Sequence, residues 1–409
     1  MRDAGRQRVL IISQFYKPEP CAAANRVSAL ASAFAGAGHQ VTVLTGMPSF
    51  PQGTIEAAYR NRFFLVESDG DVAVHRVCTF AAGGGRARDR ILHWISVACA
   101  MLVYVLLRKR AADIVVVSTP PITLVVPALV AAWRNRARLI ADVRDVFPEV
   151  AIGMGVWHKD DYLSRAVCAL VDRLYARASL VVAVTEGARA EILRHGVSPS
   201  KMIVAPNGAD AVELAEEPPL VRKPQDFVVA YVGNMGVAAA LETVLNAAIL
   251  CREDPRVRFV MIGGGAHEPE LRRRAQREGI TNVEFLGVLP REAAVRALAD
   301  SDVCIVPLRA GLTRSLPTKI FDAFAVGCPV IAAADGEARS FIEESGGGIA
   351  VEPENGPALA AAIRRLRSNP AQRVEYGRSG RRFLWQRYDR VTIMRELVSR
   401  VGKPVTSAR

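Results

Sequence analysis

The chain has 409 residues, of which 50% are hydrophobic and 23% charged, and this composition excludes a disordered, collagen-like or coiled-coil protein. The length is about twice that of one hydrophobic core, so we expect two domains. The formal net charge of +12 is compatible with three partners, namely nucleic acid, an anionic membrane surface or a phosphate-bearing substrate.

The cysteines and the N-terminus bear on the cellular compartment. The seven cysteines form no C-x-x-C pair, so neither a disulfide framework nor a zinc ribbon is expected. The polar start leads into five apolar or small residues, 9–13, which is too short for a signal-peptide core. The sequence therefore predicts a cytoplasmic protein.

Short apolar runs rich in β-branched residues alternate with helical stretches along the chain. Continuous runs of this kind are typical of strands covered on both faces, and they predict an α/β protein with doubly wound parallel sheets. The predicted strands are 9–13, 41–45, 114–118, 139–143, 181–185, 227–232, 259–263, 302–307 and 329–333.

A proline-rich, charged segment at 213–226 divides these strands into two sets. We predict a Rossmann-like domain at 1–207, a linker at 208–226 and a second Rossmann-like domain at 227–385. A helix at about 386–401 is expected to pack back on the first domain. Ligands of such folds bind outside the carboxyl ends of the strands, so the cleft between the domains is the expected site.

Residues 91–107 form an apolar run of 17 residues, short of the roughly 20 that span a bilayer. Arginines at 86, 88 and 90 precede it, and Arg108-Lys109-Arg110 follow it. Three interpretations stay open: a buried crossover helix, a helix on the membrane surface, and a membrane span, which the length disfavours. Because basic flanks are attracted to anionic lipid, we expect membrane contact at about 86–110.

Motifs in the second half carry a family resemblance. They are APNGAD (205–210), YVGNMG (231–236), FVMIGGG (259–265), the segment 282–308 and LPTKIFDAFAVGCPVIAA (316–333). Together they resemble the nucleotide-sugar glycosyltransferases of the GT-B fold, family 4. In the first half, FYKPEP (15–20), GHQVTVLTGMPSFPQG (38–53), STPP (118–121) and DVRDVFPE (142–149) are similar to the branch that builds bacterial surface polysaccharides, the fucosamine-transferase-like and colanic-acid-type enzymes.

The predicted donor site lies where strand 227–232 meets a glycine-containing turn. Glycines allow close approach of a diphosphate, and a helix that begins near Ala238 would direct backbone N–H groups at it. Lys319 and Asp322, three apart on a predicted helix at 317–326, share one face, where Lys319 can neutralise a leaving diphosphate and Asp322 can accept bonds from ribose hydroxyls. The expected donor-binding residues are Gly233, Asn234, Gly236, Gly263, Gly264, Leu286, Lys319 and Asp322.

Two motifs depart from the family pattern. Arg314 replaces the first glutamate of Glu-x7-Glu, and Asp322 replaces the second. Val237-Ala238-Ala239 stands where relatives often carry an arginine or lysine that holds phosphate. We therefore expect Lys319 and the backbone amides to carry more of the phosphate binding.

The acceptor side is assigned to the N-terminal domain. By the resemblance, Asp145 orients the acceptor hydroxyl or takes its proton, although a carboxylate at a strand end can also be a helix cap. With Lys319 it makes up the expected catalytic pair. Arg144 could hold an acceptor phosphate, and Tyr16, Arg26 and Pro51 complete the expected acceptor-binding set.

The histidines show no close spacing, and no carboxylate cluster resembles a two-metal site, so we expect no metal and no cofactor beyond a UDP-sugar co-substrate. The resemblance implies a retaining transferase that moves a sugar, of N-acetylhexosamine type, from a UDP-sugar to a lipid-diphosphate-linked acceptor on the cytoplasmic face of the membrane. The alternatives are a nucleotide-binding, transferase-like subunit without catalysis and a GT-B-fold sugar-nucleotide epimerase. Nucleic acid is not an expected partner, since aromatic-interleaved basic runs are missing.

Overall fold

The computed structural model describes residues 6–50, 53–81, 87–108, 112–155, 157–211 and 225–402. The chain forms two compact units, one of Met1–Asn207 with Arg390–Arg409 and one of Gly208–Asp389. Both units are parallel α/β sheets with helices on both faces. Most of the predicted linker, 212–224, lies outside the described residues.

The N-terminal unit is built on a sheet with the strand order β3-β4-β2-β1-β5-β6-β7-β8. Its pairs are parallel except for the antiparallel edge pair of β3 and β4. The strands are β1 (Arg8–Ile12), β2 (Gln40–Gly46), β3 (Phe64–Asp69), β4 (Val72–Val77), β5 (Ile114–Thr119), β6 (Arg138–Val143), β7 (Leu180–Ala183) and β8 (Met202–Val204). The helices are α1 (Ala22–Gly36), α2 (Ala87–Leu107), α3 (Val125–Asn135), α4 (Glu149–Gly153), α5 (Tyr162–Arg177) and α6 (Glu186–Arg194).

The C-terminal unit is built on a fully parallel sheet with the order β11-β10-β9-β12-β13-β14. Its strands are β9 (Phe227–Val232), β10 (Val257–Ile262), β11 (Val283–Gly287), β12 (Val303–Pro307), β13 (Val330–Ala333) and β14 (Gly348–Val351). Its helices are α7 (Glu242–Cys251), α8 (Glu268–Arg277), α9 (Arg291–Ala299), α10 (Thr318–Ala325), α11 (Gly336–Ser345), α12 (Gly356–Ser368) and α13 (Pro370–Arg387). The last helix, α14 (Arg390–Gly402), belongs to the N-terminal unit and packs on α1.

Two apolar layers cover the sheet of the N-terminal unit. One layer joins α2, α3 and α5 to the sheet, and the other joins α1 and α14 to its opposite face. Strand β5 is buried at every position, which agrees with its uninterrupted run of β-branched residues. Helices therefore cover both faces of the sheet, and its polar loop residues lie at the ends of the strands.

Helix α2 divides its apolar residues between two faces. Val97, Met101 and Val105 are buried in the core. The opposite face leaves several large apolar side chains exposed, namely Ile91, Leu92, Ile95, Val103, Leu106 and Leu107. No helix among the described residues is long and apolar enough to cross a bilayer.

Candidate active site

Two glycine loops meet at the carboxyl ends of β9 and β10. The N–H of Gly233 donates to the carbonyl of Ile262 at 2.9 Å, and the N–H of Met235 donates to the carbonyl of Gly264 at 2.8 Å. Gly263 has a φ of +124°, and a Cβ there would lie 2.0 Å from the carbonyl oxygen of Gly233. The two backbones therefore touch directly, which only a residue without a side chain allows.

The predicted helix start at Ala238 is wrong, since α7 begins four residues later, at Glu242. The intervening residues form tight turns, in which the N–H of Ala239 donates to the carbonyl of Gly236 and the N–H of Leu241 donates to that of Ala239. Because the amides of Gly233 and Met235 already have carbonyl partners, they are not donors for a ligand. An anion at this loop would meet a glycine turn rather than the end of α7.

Lys319 extends from the first turn of α10 over the first glycine loop. Its Nζ lies 3.9 Å from the centre of the Tyr231 ring, and a Cβ on Gly233 would lie 3.0 Å from that nitrogen. The Tyr231 hydroxyl donates to the carbonyl of Asn234 at 2.6 Å, so one side chain supports both the loop and the lysine. We call this set the glycine cradle; it comprises Gly233, Asn234, Gly236, Gly263, Gly264 and Lys319.

Asp322 lies on the same helix and contacts an arginine that the sequence did not single out. Its Oδ1 accepts a hydrogen bond from Arg291 at 3.2 Å, and the same guanidinium lies 3.6 Å from Asp210. Arg291 begins α9, just beyond the carboxyl end of β11, where Leu286 is half-buried against the sheet. The sequence could have indicated Arg291 as a site residue, because it directly follows Leu289-Pro290. That proline ends a strand-to-helix loop at the carboxyl ends of the strands, where ligands of such folds bind.

A second missed cation reaches the turn that lacks the family's basic residue. Nε of Arg309 donates to the carbonyl of Val237 at 2.8 Å, and the N–H of Arg309 donates to the carbonyl of Ala238 at 3.1 Å. Arg309 follows β12 in sequence, 72 residues from Val237. The fold thus brings a guanidinium from the end of β12 to the turn Val237-Ala238-Ala239. Arg314, five residues further along the chain, is exposed.

In the N-terminal unit, Asp145 and Arg144 follow β6 in a loop. Arg144 is half-buried and donates to the Ser118 hydroxyl at 3.2 Å and to the Pro120 carbonyl at 2.7 Å. Asp145 is exposed, but the surrounding protein limits its hydration and raises its pKa, which the neighbouring Arg144 opposes. The pKa of Arg144 is lowered by burial. The Asp145 carboxylate therefore binds a proton more tightly than an ordinary aspartate does.

The structure corrects the expected role of Arg26. Its side chain is fully buried and forms a 2.7 Å ion pair with Asp142, and it also donates to the carbonyls of Ala205 and Pro206. The Ser118 hydroxyl donates to the other Asp142 oxygen at 3.0 Å. These partners enclose the guanidinium, so it ties β6 to the segment after β8 instead of facing an acceptor.

The expected acceptor-binding role of Tyr16 is also corrected, because its side chain is enclosed by the protein. It is buried, and its hydroxyl donates to Asp69 at 2.9 Å; burial and this contact raise its pKa. The nearby Glu19, which the sequence did not single out, is also buried. One Glu19 oxygen accepts from the N–H groups of Ser49 and Phe50, both at 3.0 Å, and thereby joins the loop after β1 to the loop after β2. Pro51, another expected acceptor residue, lies outside the described residues.

The two units supply different chemistry. The glycine cradle offers backbone that a ligand can approach closely and one ammonium, a combination that suits a diphosphate. The loop after β6 offers a carboxylate beside a guanidinium, which suits proton transfer or orientation of a hydroxyl. Within the described residues of the C-terminal unit, no group of three or more metal-ligating side chains lies together.

Two family models match the chain in order. Residues 22–208 match the model described as "Glycosyl transferase 4-like domain", and residues 226–369 match "Glycosyl transferases group 1". Each match falls almost wholly within one of the two units.

Individual proteins give a consistent comparison. WcaI of Escherichia coli K12, named as a colanic acid biosynthesis glycosyl transferase, is 22% identical over 96% of this chain and 99% of its own. The O-antigen chain mannosyltransferase C of Escherichia coli is 28% identical over 37% of this chain and 40% of its own. Among solved structures, Anabaena HepE in complex with UDP and glucose superposes with a TM-score of 0.72 at 17% identity, covering 97% of this chain and 99% of its own. This likeness confirms the GT-B fold.

Proposed function

Because the chain belongs to the group 1 glycosyltransferases, we propose that it moves a sugar from a UDP-linked donor to a lipid-diphosphate-linked acceptor in the synthesis of a bacterial cell-surface polysaccharide. The proposed sugar is of N-acetylhexosamine type, and its anomeric configuration is retained. The relatives named for colanic acid and O-antigen chains support the polysaccharide pathway, and HepE, whose structure holds UDP and glucose, supports the UDP donor.

The observation that carries this proposal is the position of Lys319 over the glycine cradle. When the bond between sugar and diphosphate breaks, negative charge grows on the leaving oxygen. An ammonium held on the Tyr231 ring, 3.9 Å from its centre, is positioned before the reaction and so costs little reorganisation. Asp322 accepts from the ribose hydroxyls in this proposal, with Arg291 orienting its carboxylate. Charge stabilisation by these side chains and by backbone needs no metal ion.

The acceptor is assigned to the N-terminal unit. Asp145 orients the acceptor hydroxyl and takes its proton, a role that its raised pKa favours because a stronger base removes the proton more readily. Arg144 holds an acceptor phosphate, and its bonds to Ser118 and Pro120 fix the direction of its guanidinium. Arg26 and Glu19 hold the surrounding loops in place.

The outer face of α2 supports the proposed attachment to a membrane surface. Next to this face lie Phe64, the first residue of edge strand β3, and Phe63 just before the strand, which are 42% and 85% exposed. The rings of Phe64 and Tyr104 stack at 5.8 Å, and Arg108 lies over both. Such an apolar surface with a cationic border suits peripheral attachment to an anionic leaflet on the cytoplasmic side.

The test is transfer from a panel of labelled UDP-sugars, with and without an undecaprenyl-diphosphate-linked sugar. We expect UDP release that requires the acceptor, and a product whose new glycosidic bond has the donor's anomeric configuration by NMR. UDP-sugar turnover without an acceptor would indicate an epimerase. UDP binding without turnover across the whole panel would indicate a subunit that performs no chemistry.

A further inference from the structure

Three metal-ligating side chains come together on the outer helices of the N-terminal unit. Cys168 and Asp172 are four residues apart on α5, and His195 caps the C-terminus of α6. The Cys168 Sγ lies 3.7 Å from one Asp172 oxygen, and the His195 Nδ1 lies 2.7 Å from the other. One ligand atom from each of the three residues lies within 4.8 Å of the others. The proposed transfer reaction uses none of them.

A fourth residue holds the imidazole from the other side. The Glu149 Oε1 lies 3.2 Å from the His195 Nε2, and its second oxygen is buried without a hydrogen-bond partner. The Tyr175 ring packs edge-on against the imidazole at 5.6 Å. With the ion bound, the Glu149 carboxylate would keep the proton of His195 on Nε2, so that Nδ1, which now contacts Asp172, would present its lone pair to the metal; this is the usual support of a histidine ligand.

We propose that Cys168, Asp172 and His195 form a binding site for one Zn²⁺ ion, with Glu149 as the support of the histidine ligand. Thiolate, imidazole and carboxylate together select a borderline-soft transition metal over Mg²⁺ or Ca²⁺, which take oxygen ligands. Tetrahedral zinc separates its ligand atoms by roughly 3.5 Å, so the three side chains need only small shifts.

The fourth coordination position of this site faces solvent. Asp172 keeps half of its side-chain surface exposed, whereas His195 is almost fully enclosed. Water or an external ligand can therefore complete the tetrahedron. Glu149 is four residues from Asp145 in the segment after β6, so a bound ion would brace the segment that carries the proposed base.

The same cluster can exist without metal, and that state defines the alternative. Its contacts with Glu149 and Asp172 raise the pKa of His195 to about 9, which favours a protonated ring between two carboxylates. Zinc must displace the Nδ1 proton and the thiol proton of Cys168 on binding. If His195, Glu149 and Asp172 form only an ion triad, the cluster binds no metal. Metal titration therefore distinguishes the metal site from the ion triad.

The experiment uses the full chain without a histidine tag, reduced and freed of metal with a chelator. Titration with Co²⁺ should give about one equivalent bound, with the sulfur-to-cobalt charge-transfer band and the intense visible bands of tetrahedral cobalt, and added Zn²⁺ should abolish both. Cys168→Ser should lose the charge-transfer band. Glu149→Gln should weaken binding ~10-fold or more through the histidine alone.

The exposed Cys99 provides the matched control, and Cys99→Ser should bind Co²⁺ as the unchanged protein does. Far-UV circular dichroism of each variant establishes that it is folded. Failure of the folded, unchanged protein to bind Co²⁺ or Zn²⁺ stoichiometrically would overturn the proposal. Full retention of the charge-transfer band in Cys168→Ser would also overturn it.

Discussion

Arg26 illustrates why a residue type in a motif does not fix its role. The sequence places this arginine in a loop after the first strand, where a cation could meet an acceptor. In the fold its donors face the buried Asp142, the carbonyl of the buried Ala205 and the carbonyl of the half-buried Pro206. The partners lie 116 to 180 residues away, and such separations leave no local pattern to read.

Removing this arginine should therefore destabilise the fold. Arg26→Ala leaves Asp142 as a buried, uncompensated charge, which costs about 3–5 kcal/mol of unfolding free energy. Arg8→Ala is the matched control, because the Arg8–Asp113 pair is about one-third exposed and should cost about 1 kcal/mol or less. Denaturant unfolding measures both. An Arg26→Ala protein with unchanged stability but weakened acceptor binding would restore the acceptor role.

Arg309 supplies a cation where the sequence appeared to lack one. We predict that Arg309→Ala weakens binding of UDP by about 3- to 10-fold, because one charge-assisted contact to phosphate is lost. Binding of uridine, which has no phosphate, should be unchanged in the same calorimetric titrations. Equal weakening for UDP and uridine would mean that Arg309 only shapes the Val237–Ala239 turn.

At the scale of elements, long apolar strands were predictable and short or edge strands were not. Strands such as β5 and β9 are buried almost throughout, so their runs are uninterrupted in the sequence. Edge strand β3 alternates exposed and half-buried positions, and Phe63 beside it is exposed, so the strand shows no core signal.

The start of α7 was misplaced because alanines that favour a helix instead form turns at a glycine loop. The positions of the cradle glycines and of Lys319 in the fold were predictable, because each lies within four residues of a strand or helix end that the pattern locates.

Glu19 joins two loops, and its ionisation should make stability depend on pH. Burial raises its pKa to about 7, although backbone N–H groups oppose the change. For a carboxyl with a raised folded-state pKa, the stabilisation is present below the unfolded-state pKa and is lost as pH rises through the folded-state value. Because glutamine does not titrate, the melting temperature of the unchanged protein minus that of Glu19→Gln should decrease between about pH 5 and about pH 8. An equal difference at both values would contradict the shifted ionisation.

Helix α2 should hold the protein on anionic vesicles. Leu92→Glu with Leu106→Glu replaces two side chains that are 50% and 48% exposed, and should weaken vesicle binding by ~10-fold or more through lost apolar burial and added repulsion. The matched control is Val374→Glu with Val391→Glu, at 52% and 48% exposure on α13 and α14. Co-sedimentation with phosphatidylglycerol vesicles measures both. Equal weakening in the two pairs would show that α2 is not the attachment surface.

For the whole molecule, the net charge of +12 is compatible with three kinds of partner. The fold shows where in each unit the cationic residues lie. Lys319, Arg291 and Arg309 lie at strand ends of the C-terminal unit, where a phosphate-bearing donor would bind. Arg108 borders the exposed face of α2 in the N-terminal unit. In the proposed function, these two groups of cationic residues would contact two kinds of phosphate, on the sugar donor and on lipid. Composition alone could not divide them, because net charge carries no information on position.

The most direct test of this account is calorimetric titration of UDP into the unchanged protein, Lys319→Ala and Lys201→Ala. Lys201 belongs to the N-terminal unit and controls for the loss of one positive charge. We predict that Lys319→Ala weakens UDP binding by ~10-fold or more, as expected for loss of a charged hydrogen-bond donor, and that Lys201→Ala binds UDP normally. Equal UDP affinity in Lys319→Ala and the unchanged protein would contradict the assignment of the glycine cradle as the diphosphate site.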